Sequence, residues 1–114
     1  MKTTEHKLLR REGFWKDRIS SKLPQPKERK NPWKGEKEFM QSLQVIEEKL
    51  VQSKSYRSYK GWSTCRICLI RNGSIEFEYK GWVWPSGYSH YIYEHNVRPS
   101  LAFQEFILGR YLDE

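Results

Sequence analysis

The feature that most constrains this chain is a spacing, C-x2-C-x21-H-x4-H, formed by Cys65, Cys68, His90 and His95. It takes in both cysteines of the protein and two of its three histidines. Thiolates and neutral imidazoles are soft or borderline donors, and four of them suit Zn2+ in a closed tetrahedral shell. A chain of 114 residues with 37% hydrophobic residues and a mean hydropathy of −0.90 has little apolar material for a core. Domains this small commonly depend on a staple, and a metal ion is one. The aromatic share of 15% offsets part of the deficit, because each large ring buries a wide area.

Two other readings of the cysteine pair stay open. The thiols can be small buried apolar groups with incidental histidines. They can also be a redox pair, which would want a helix N-terminus beside Cys65. The β-prone residues around the pair argue against the redox case. If a metal is bound, four protein donors leave no open position for water, which marks a structural site. A catalytic version would need one donor to leave and a carboxylate to act as base, with Glu94 the nearest.

Charge divides the chain. Residues 1–35 hold 11 basic against 4 acidic side chains, whereas residues 61–114 hold 5 against 6. The positive field therefore belongs to the N-terminal part, and the expected organisation is a basic Pro- and Trp-containing arm over 1–35 and a zinc-stabilised α+β domain over 36–114. Such an arm suits a polyanion, or equally an acidic protein surface. Arg10, Arg11, Lys27, Arg29 and Lys30, with Arg98 between the last two helices, are the candidate nucleic-acid or anion contacts. Arg98 has two readings: it meets an anion at the N-terminus of the last helix, or it caps the carbonyls that end the helix before. No apolar run of about eighteen residues occurs, and MKTTEHKLLRREGFW lacks the apolar stretch of a secretory leader. The expectation is a cytoplasmic chain with no membrane contact and with reduced thiols.

Within the arm, residues 1–12 read as a short or frayed helix. Pro24, Pro26 and Pro32 then favour an extended course, with Phe14, Trp15 and Trp33 pinned to the body, or else an arm ordered only when a partner is bound. From Glu36 to Gln52, Phe39, Leu43, Ile46 and Leu50 recur on one helical stripe. Asn72-Gly73 predicts a tight hairpin turn between strands Arg66–Arg71 and Ser74–Tyr79. Lys80-Gly81 predicts a second turn, leading into Trp82-Val83-Trp84. With that turn, Tyr79 faces Trp82 and Phe77 faces Trp84, leaving Glu76, Glu78 and Val83 on a wet face. Ser86 is the expected cap of a short helix through His95, ended by Asn96, and Ser100 caps a final helix to the C-terminus. His90 and His95, five apart, are turned about 140° from one another, so the last turn is expected to distort. The predicted class is α+β: a three-stranded antiparallel meander with a zinc knuckle, packed by one preceding helix and two C-terminal ones.

The order of knuckle, hairpin and histidine-bearing helix resembles the Cys2His2 zinc-finger family, and more loosely the treble-clef group, over residues 65–95. That resemblance implies Zn2+ held by Cys65, Cys68, His90 and His95. The sequence departs from the family in a longer interval between the ligand pairs, a third strand inside it, and Leu69 where a glycine often eases the knuckle. The run WPSGYSHYIYEHNVRPSLAF is also similar to small uncharacterised bacterial and phage proteins, which implies no activity. The resulting expectation is a small zinc module that binds nucleic acid without sequence preference through its arm. The alternatives are a protein-interaction adaptor or inhibitor with structural zinc, and a metallo-hydrolase.

Overall fold

A computed structural model describes residues 9–15 and 25–109, leaving out the side chains of residues 59–62. Their elements are β1 (Arg10–Arg11), α1 (Glu36–Gln52), β2 (Tyr56–Thr64), β3 (Arg71–Tyr79), β4 (Trp82–Pro85), α2 (Tyr88–His95) and α3 (Leu101–Leu108). The strands form one four-stranded mixed sheet in the order β1-β4-β3-β2. The α+β class is as expected, but the three-stranded antiparallel meander is not. A strand from the arm adds in parallel to β4, and the hairpin partner of β3 lies upstream of the knuckle.

The difference traces to where the chain turns. The knuckle itself closes the β2–β3 connection, with Leu69 N–H donating to the Cys65 carbonyl at 2.9 Å and Cys65 N–H to the Ile70 carbonyl at 2.9 Å. Leu69 takes a left-handed φ of 67°, the place a glycine would ordinarily ease. With the reversal made there, Asn72-Gly73 is released from turn duty and lies inside β3. Gly73 pairs with Ser63, and the Asn72 side chain accepts from the Ser63 hydroxyl at 2.8 Å. The Lys80-Gly81 turn forms as expected, both residues having positive φ (49° and 89°), as a two-residue hairpin turn requires. It places Tyr79 opposite Trp82 and Phe77 opposite Trp84.

Helix α1 has the expected bounds, and Phe39, Leu43, Ile46 and Leu50 are its buried stripe. They cover the aromatic face of the sheet together with α3, whose Phe103 is the hub of the core. Its ring centroid lies 5.1 Å from Trp82, 5.3 Å from Trp84, 5.8 Å from Tyr88 and 5.9 Å from Phe39. Val83 is buried too, contrary to the wet-face expectation. Arg11 is its register partner on the neighbouring strand β1, where the Arg11 guanidinium stacks over Phe14 at 4.2 Å, while Glu78 on the same face stays exposed as expected.

Of the helix expected over residues 1–12, residues 1–8 lie outside the described residues, and Arg10–Arg11 is a strand. Residues 110–114, expected in the last helix, also lie outside them. Glu12 ties this part of the arm to the body. Its carboxylate accepts from the Tyr88 hydroxyl at 2.7 Å, the Ser100 backbone N–H at 2.9 Å and the Ser100 hydroxyl at 3.0 Å. Ser100 in turn accepts from Phe103 N–H as the cap of α3. A carboxylate thus already sits at the N-terminus of α3, where the helix dipole favours negative charge. Trp15 packs edge-on against Tyr88 and Tyr91, and Trp33 against Phe39. Among the described residues no helix is long and apolar enough to cross a membrane.

Two measurements test this packing. Gly13 has a φ of +81°, and a Cβ there would lie 2.5 Å from the Tyr88 ring, which Glu12 and the core hold in place. Gly13→Ala is expected to cost about 1–3 kcal/mol in urea unfolding. Gly109→Ala, where a Cβ meets nothing within 4 Å, should stay within about 0.5 kcal/mol of the parent. The second concerns Glu47, whose carboxylate accepts from the indole N–H of fully buried Trp84 at 2.8 Å. Burial pushes the Glu47 carboxyl up to about 7 from 4.5, with the Trp84 bond opposing. The folded state therefore binds this proton more tightly than the unfolded chain. Its contribution is complete below about pH 4.5 and is lost as pH rises through about 7. Glu47→Gln keeps an acceptor for the indole and should remove a decline on the order of 3 kcal/mol from the stability profile.

Candidate metal centre

The centre is assembled from two pieces of chain that meet at the end of the sheet. The knuckle supplies Cys65, fully buried, and Cys68, half-buried. Backbone N–H groups of Ile67 and Cys68 point at the Cys65 sulfur at 3.4 and 3.5 Å. Tyr91 fixes the knuckle against α2, its hydroxyl accepting from the Arg66 backbone N–H at 2.6 Å. Helix α2 supplies His90 and His95. It begins one residue later than expected, with Gly87 rather than Ser86 at the cap, and runs unbroken to His95 before the left-handed Asn96 stops it. The last turn widens, as expected: the backbone N–H groups of Asn96 and Val97 both donate to the Tyr91 carbonyl, five and six residues back rather than the four of an α-helix. The two histidine rings lie 5.2 Å apart, edge to face.

One donor atom from each of Cys65, Cys68, His90 and His95 falls within 4.8 Å of all the others. Cys68 Sγ and His90 Nε2 are 3.2 Å apart. Ligand edges of a tetrahedral S2N2 zinc shell are about 3.3–3.8 Å, from bond lengths of about 2.0–2.3 Å. The four side chains can therefore hold a metal ion.

His95 Nδ1 is 2.7 Å from Glu28 Oε2, while its Nε2 is buried with no hydrogen-bond partner. A buried imidazole nitrogen rarely goes unsatisfied, and a metal ion is the partner its neighbours suit. Burial pushes the His95 imidazole down, but the hydrogen bond and charge of Glu28 together with Cys68 outweigh it and hold it above its ordinary value. His90 is lowered, first by burial and then by the charge of His95.

Glu28 was invisible in the sequence, being 67 residues from the histidine it contacts and part of the arm. Tyr91 was equally unmarked, since nothing separates a knuckle-holding phenol from a core ring by spacing alone. Glu94, the carboxylate nearest in sequence, is exposed.

The candidate anion contacts fall into two groups. Arg10 lies over the Trp82 ring at 5.3 Å, and Arg11 over Phe14, both on the edge strand β1. Lys27, Arg29 and Lys30 are exposed on a segment that runs beside the end of α2, where Arg29 N–H donates to the His95 carbonyl at 3.1 Å. Arg98 belongs with this second group. Its guanidinium lies over Trp33 at 5.8 Å, and Glu12 rather than an external anion occupies the start of α3.

The geometry predicts one equivalent of Co2+ bound with the visible spectrum of a tetrahedral thiolate–imidazole site. Cys65→Ser and His90→Ala should each abolish that spectrum at matched protein concentration. Comparisons with protein-family models, with curated proteins and with solved structures find no match for this chain.

Proposed function

We propose that this protein is a small module built around a structural Zn2+ and that it binds nucleic acid without sequence preference through its basic arm. The observation that carries the reading is the convergence of two thiols and two imidazoles, with the inward nitrogen of His95 buried and unpartnered. Zinc is the ion that a tetrahedral S2N2 donor set suits best. When bound it supplies cross-linking of the knuckle to α2. The four protein donors fill its shell, which favours a structural over a hydrolytic role.

The basic surface supports the nucleic-acid half. Residues 25–35 carry four basic side chains and one acidic, Glu28, and that acid is turned onto His95. Lys27, Arg29 and Lys30 remain exposed, with Arg98 nearby over Trp33. Cations held beside one another on a rigid support suit the regularly spaced charges of a phosphate backbone. A second reading, an adaptor for another protein, is favoured by the apolar tip of the knuckle, where Leu69 and Ile70 are 74% and 59% exposed.

Protein purified without a tag should contain one equivalent of zinc by elemental analysis. It should retain mixed-sequence DNA and RNA in a gel shift at low salt. Replacing Lys27, Arg29 and Lys30 together by Ala should lower the slope of log K against log salt by about 2–3. No retention at low salt would remove the nucleic-acid reading and leave the adaptor. In that case Leu69→Ser with Ile70→Ser is the variant that should lose the protein partner.

A further inference from the structure

The contacts around His95 reach beyond ligand placement, and the coupling they point to rests on the metal reading proposed for this centre. From Lys27 to Pro32 every side chain is exposed, so no buried apolar group holds this stretch to the body. What holds it is a set of hydrogen bonds to the last residue and the cap of α2. Glu28 Oε2 meets His95 Nδ1 at 2.7 Å, Arg29 N–H donates to the His95 carbonyl at 3.1 Å, and Asn96 Nδ2 donates to the Arg29 carbonyl at 3.1 Å. The Glu28 side chain is itself 52% exposed, while that of His95 is 10% exposed.

We infer that Glu28 is the positioning carboxylate of the metal centre and that through it metal occupancy governs docking of the basic segment 27–32. The carboxylate accepts a proton-bearing Nδ1, which fixes the tautomer so that the lone pair of Nε2 faces Cys65, Cys68 and His90. Carboxylates placed behind a ligating histidine raise its basicity and lock its ring orientation. The same bond works in the other direction. An ion that fixes the ring also fixes the atoms on which Glu28, and beside it Arg29, depend. Two events that each favour the same arrangement of His95 must favour one another equally, by linkage. Metal binding therefore orders Lys27, Arg29 and Lys30 on the surface, and loss of metal releases them.

The test uses the full chain. Zinc affinity is measured by competition with a chromophoric chelator, and amide exchange is followed at Arg29. Glu28→Ala is expected to weaken zinc about 10–100-fold while still binding one equivalent at saturation. Glu28→Gln, which can still accept from Nδ1, should lose less. In the parent protein chelation should accelerate exchange of the Arg29 amide, and Glu28→Ala should accelerate it with zinc bound. Lys27→Ala, with the same loss of one arm charge-bearing side chain, should change neither readout. If the parent takes up one equivalent of zinc and Glu28→Ala matches its affinity within about two-fold, the positioning role is wrong while the metal centre stands. If Arg29 exchange is indifferent to chelation, the coupling is wrong. If the parent takes up no zinc, the metal reading fails and this inference with it.

Discussion

The convergence of two thiols from a knuckle and two imidazoles from a helix is the constraint on which the remaining architecture depends. The knuckle reverses the chain between β2 and β3, so it decides the sheet register. Helix α2 carries both histidines and also buries Tyr88, Tyr91 and Ile92 in the core, with His95 buried among them. Joining the two therefore ties the end of the sheet to the aromatic core. Tyr91 belongs to both, since its ring packs against Trp15 while its hydroxyl holds the knuckle backbone. In a chain with so few aliphatic residues, this shared use of rings replaces a larger core. Phe103 and the tryptophans of β4 supply the burial that leucines and valines supply in richer sequences.

Two carboxylates, Glu12 and Glu28, hold the described parts of the arm to the body. Glu12 closes the start of α3 and Glu28 closes the end of α2. Each fills a place where a helix terminus or a histidine favours negative charge. Among the described residues of the arm, Glu12 and Glu28 are thereby engaged by the body while Lys27, Arg29 and Lys30 stay exposed. The rings of Trp82, Phe14 and Trp33 support Arg10, Arg11 and Arg98. Such stacking holds a guanidinium in place without neutralising it.

What the residues alone could be read for was local or short in range. The α1 stripe, the Lys80-Gly81 turn, the Asn96 stop and the Ser100 cap each rest on a handful of neighbouring residues, and each forms as read. The four donors also come together as the spacing suggested, because two short pairs need only one meeting to make a site. Asn72-Gly73 failed for the opposite reason. Its turn signal is real, but the knuckle had already made the reversal, and a strand can absorb a glycine where another backbone approaches closely.

The donor set, the helix stripe, the aromatic stock and the uneven charge are stated directly by residue type and spacing. Folding adds what no local pattern carries: Arg10–Arg11 joins the sheet, Val83 is buried, and Glu12 and Glu28 meet Ser100 and His95. Those contacts join residues far apart in the chain. No periodicity marks which carboxylate of a basic arm will find a buried imidazole, because that choice is made by packing of the whole body and not by any neighbour in sequence.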